Sequence, residues 1–67
     1  MNESNAAMVN LQADIIFAEI KVLQVAVWAC ETNNLPEIAR QLRLTLEILR
    51  HSAEVLKTEA DIMAANV

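Results

Sequence analysis

The chain has no glycine, one proline (Pro36), one cysteine (Cys30), one histidine (His51), no tyrosine, and only Phe17 and Trp28 as aromatics among its 67 residues. Each scarcity removes a class of protein. One cysteine cannot close a disulfide within its own chain, so this is not a disulfide-stapled scaffold. One cysteine and one histidine fall short of the four ligands of a structural zinc site. Without glycine there is no phosphate-cradling loop, and no nucleophile–base pair or paired-carboxylate site can be assembled. The sequence points away from an enzyme, and it requires no cofactor and no metal.

Bases are also few, five against nine acids, for a formal charge of -4. That balance disfavours a binder of phosphate backbones. The apolar run from Ile15 to Cys30 is interrupted by Glu19, Lys21 and Gln24. Each charge at a bilayer centre costs about 2.5 to 3.5 kcal/mol, so no membrane span is expected. The opening Met-Asn-Glu-Ser-Asn lacks the positive stretch of an export signal. With a free thiol, that makes the cytoplasm the expected compartment.

Hydrophobic residues make up 55% of the chain against 21% charged, too apolar for a disordered segment. No glycine and one central proline describe two long helices with a single break. The expected layout is a single helical-hairpin domain over 1–67, with helix 1 about 5–32, a turn at 32–35 and helix 2 about 35–65. Thr32, Asn33 and Asn34 form helix poorly, and Asn34 with Glu37 has the spacing of a capping box that tolerates Pro36 in its first turn. Ser4 or Asn2 is positioned to cap helix 1. So short a connection makes the helices antiparallel neighbours.

Helix 2 carries apolar residues at alternating steps of four and three: Leu35, Ala39, Leu42, Leu46, Leu49, Ala53, Leu56, Ala60, Met63 and Val67. This is a heptad seam suited to a hairpin or bundle. Arg43, Arg50 and Lys57, with Glu47, Glu54 and Asp61 between them, are expected to form a solvated outer ladder. Helix 1 has two seams. One is Met8, Leu11, Ile15, Ala18, Val22, Val25 and Ala29; the other is Val9, Ala13, Ile16, Ile20, Leu23, Val27 and Cys30. A hairpin covers one stripe of each helix, so the second seam of helix 1 is left for another chain. Helix 2 has a partial second stripe in Ile38, Ile48, Val55 and Ile62, interrupted by Thr45, Ser52 and Glu59, which fits a dimer rim. Chains this short rarely stabilise a core alone. The expected fold is all-α: an antiparallel two-helix hairpin dimerising into a four-helix bundle.

Phe17 and Trp28 fall on the remaining stripe of helix 1, three turns apart, among Lys21 and Gln24. Aromatics beside polar groups are what a protein-binding hot spot needs, so Phe17, Lys21, Gln24 and Trp28 are the candidate partner-binding residues. The competing reading makes both rings part of the packing. His51 shares one side of helix 2 with Glu47 and Glu54, but in the order His-x-x-Glu and away from the leucine seam, unlike inward-facing metal sites of bundles. Cys30 ends a seam and is expected to be a small buried hydrophobe.

The expected function is a small non-enzymatic interaction module. In this reading a homodimeric hairpin binds another protein and regulates or inhibits it, as a phage- or plasmid-type inhibitor or an adaptor would. The alternative is an RNA-binding four-helix-bundle regulator, using Arg40, Arg43, Arg50 and Lys57 as a basic stripe.

Overall fold

The computed structural model describes residues 2–66, with side chains from Asn5 onward. Two helices account for almost all of it: α1, Asn2–Thr32, and α2, Pro36–Ala65. They pack antiparallel as a hairpin 51 Å long and 14 Å by 10 Å across between Cα extremes. Among the described residues there is no strand.

The turn corrects the expected capping box. Leu35, not Asn34, is the N-cap of α2, and no side chain caps that terminus. Asn34 instead takes a left-handed backbone, φ 57°. The Leu35 N–H donates to the Cys30 carbonyl at 2.8 Å, and the Asn34 N–H donates to that of Glu31 at 3.3 Å. Those two bonds are the Schellman closure of a helix, with Asn34 at the position usually given to glycine. In a chain without glycine, asparagine is the residue that enters this region at least cost. The Asn33 side-chain amide adds a bond to the Ala29 carbonyl at 2.7 Å. Pro36, with its fixed φ and missing N–H, then opens α2 where no donor is needed. Glu37 pairs with Arg40 one turn on, the Arg40 Nε lying 2.9 Å from its carboxylate.

α1 runs back to Asn2, so Ser4 stands inside the helix rather than at its start. The side chains of both expected caps, and the last seam position Val67, lie outside the described residues.

The hairpin core is built from one residue in seven on each helix. Ala6, Ala13, Ile20 and Val27 are buried on α1, and Ala39, Leu46, Ala53 and Ala60 on α2. Ile16, Leu23 and Cys30, with Leu42 and Leu49, are half-buried and pack on the cluster formed by Ile20, Val27, Ala39 and Leu46. Leu56 and Met63 are half-buried too, while Leu35 is exposed at the turn. The α1 seam chosen by the hairpin is therefore the one running from Val9 to Cys30. Five of the eight buried residues are alanine. Small side chains let the two backbones approach, but each contributes little transfer free energy, roughly 0.8 kcal/mol per buried CH₂.

Candidate interaction surfaces

The other α1 seam faces away from α2. Met8, Leu11, Ile15, Val22 and Val25 are all exposed, Val22 by 69%. Ala18 is exposed between them, and Ala29 is half-buried near the turn. On α2 the partial stripe of Ile38, Ile48, Val55 and Ile62 is exposed as well. Gln12 and Glu19 of α1 and Thr45, Ser52 and Glu59 of α2 are exposed. Leu44, which belongs to none of the apolar stripes read from the sequence, is also half exposed.

One long edge of the hairpin is polar and cross-linked. Lys57 donates to Asp14 at 2.7 Å and to the Asn10 side-chain carbonyl at 2.6 Å. Arg43 pairs with Glu31. The ladder stays solvated but is not confined to α2: Arg43 and Lys57 each follow a seam leucine by one position, which aims them along the edge of the hairpin toward α1. Arg50 sits in the same series but meets no acid across the hairpin; its Glu47 neighbour on α2 is 3.8 Å away.

The candidate partner stripe borders this polar edge. Phe17 is half-buried and packs on the core cluster. Lys21 and Gln24 are exposed, and Trp28 stands 65% exposed. The two aromatics thus occupy one stripe but different environments. Of the other seam residues named from the sequence, Ile20, Val27 and Leu46 are buried; Ile16, Leu23, Leu42, Leu49 and Leu56 are half-buried; Ile15 and Val22 face out.

His51, Glu54, Val55, Thr58 and Glu59 line a shallow open depression on α2. Among the described residues no three His, Cys, Asp or Glu side chains come together as metal ligands. No described helix is long and apolar enough to cross a membrane. No family model matches the chain, and no match was found among curated proteins or solved structures.

Proposed function

We propose that this chain is a small interaction protein of the cytoplasm: a homodimeric helical hairpin that binds another protein and regulates or inhibits it. The supporting observation is the uninterrupted apolar stripe from Met8 to Val25, exposed along the back of α1. Patches of that extent on a soluble helix mark association surfaces. The exposed Trp28, beside Lys21 and Gln24, supplies the aromatic anchor that a second, different partner would use. The RNA reading is weakened because Arg40, Arg43 and Lys57 are already engaged by Glu37, Glu31 and Asp14.

Native mass spectrometry of the tagged protein, isolated gently from its host, tests this reading. The expected result is a chain dimer carrying a second polypeptide, which is lost from a Trp28→Ala, Gln24→Ala variant that stays dimeric. A monomer with no bound polypeptide overturns it.

A further inference from the structure

Resting on the homodimer reading and deepening it, we infer that a second copy of this chain lays its own α1 antiparallel on the exposed α1 stripe. The two-fold axis passes at the level between Ile16 and Phe17. The stripe steps by three and four residues like the seam that packs α1 on α2. That spacing fits a straight helix of matching length better than a rounded surface. Two α1 helices centred at this level set Met8 opposite Val25, Leu11 opposite Val22, and Ile15 opposite Ala18.

The flanking charges select the direction and the register. In this arrangement Asp14 faces Lys21 of the second copy, twice by symmetry, and Gln12 faces Glu19. A parallel pair would instead put Asp14 beside Glu19, since facing flanks are then offset by five residues. Sliding the antiparallel pair by one heptad brings either Lys21 against Lys21 and Glu19 against Glu19, or Asp14 against Asp14. Among the registers within one heptad, only the proposed one has no like charges in contact.

The amount of exposed surface agrees. A compact monomer of 7.4 kDa exposes about 4,200 Å², whereas this chain exposes 4864 Å². The excess is about 650 Å² per chain on that scaling. Removing it from two copies gives about 1,300 Å², inside the range of specific interfaces. The hairpin core also needs support, because Ile20, Val27 and Leu46 are the only large side chains it buries among the described residues.

Two measurements on the full chain, in a Cys30→Ala background, test the inference. Sedimentation equilibrium of the parent and of Val22→Asp is expected to show a dimer whose dissociation constant rises at least tenfold in the variant. A single spin label at Asn5→Cys is expected to report a separation of about 35 Å along the axis, from 1.5 Å per residue. A parallel pair would hold the labels within about 15 Å. A parent that is monomeric at tens of micromolar overturns the homodimer reading and this inference together. A dimer that ignores Val22→Asp, or whose labels lie within about 15 Å, overturns the inference and leaves the homodimer standing. Should Val22→Asp lose its helicity, the label distance in the otherwise unchanged protein decides.

Discussion

Lys57 of α2 reaches Asp14 of α1, far away along the chain, its Nζ 2.7 Å from the carboxylate. With the Asn10 carbonyl as a second acceptor, it ties the open half of the hairpin along its polar edge. Both charged partners are substantially solvated, at 37% and 54% exposure. The pair is therefore worth at most about 1 kcal/mol. Lys57→Ala is expected to lower stability by that amount or less, and the difference from the parent should shrink as salt rises from 0.05 to 0.5 M. Thermal melts at fixed chain concentration measure both effects. A gap that persists at high salt would assign the loss to packing of the lysine stem instead.

Asn34→Gly is expected to be neutral or to stabilise the hairpin, and Asn34→Ala to destabilise it by about 1 kcal/mol, because the left-handed backbone at φ 57° penalises a Cβ. Urea midpoints of the two variants check the sign of each change. Equal losses in both would show that the asparagine side chain matters more than its backbone conformation.

Phe17 and Trp28 should separate when replaced singly. Phe17→Ala removes a ring packed on the core cluster and is expected to cost about 1 to 3 kcal/mol, less than a fully buried aromatic. Trp28→Ala, at an exposed site, should change stability by no more than about 0.5 kcal/mol. Denaturation of each, paired with capture of the bound polypeptide, distinguishes a packing residue from a contact residue. A large destabilisation by Trp28→Ala would show that its ring is covered in the assembled protein.

Ala53 is fully buried where the helices approach. Ala53→Leu should force them apart and cost about 1 to 3 kcal/mol, since overpacking distorts neighbours. Retained stability with an unchanged helical signal would mean that the open half of the hairpin can widen freely.

Most of the fold was legible because its two strongest signals are periodic. The Ala39-to-Met63 spacing showed the buried side of α2 directly, although Leu35, the first position of that seam, is exposed, and the two apolar seams of α1 were both visible as patterns. Which of the two faces α2 was not, since Ile15 and Ile16 are equally apolar and only antiparallel packing separates them. The turn was misread for a local reason. Asn34 and Glu37 have capping-box spacing, but the same asparagine is the residue best able to end α1 in left-handed geometry, and closing α1 prevailed. The cross-links by Arg43 and Lys57 could have been anticipated. Each lies one position after a seam leucine, which in an antiparallel pair brings it to the matching edge of the other helix. The exposure of Trp28 against the half-burial of Phe17 had no periodic signature, because the two share a stripe.

The alanines also make the hairpin unequal along its length. Near the turn Ile20, Val27 and Leu46 are buried around Ala39, whereas toward the free ends the buried side chains are Ala6, Ala13, Ala53 and Ala60. Local opening should therefore start at the mouth and travel toward the loop, with backbone amides around Ala6 and Ala60 exchanging with solvent before those around Val27 and Leu46. The chain would work like tweezers, firm at the hinge and compliant at the tips, so that whatever grips the tips governs how far they part.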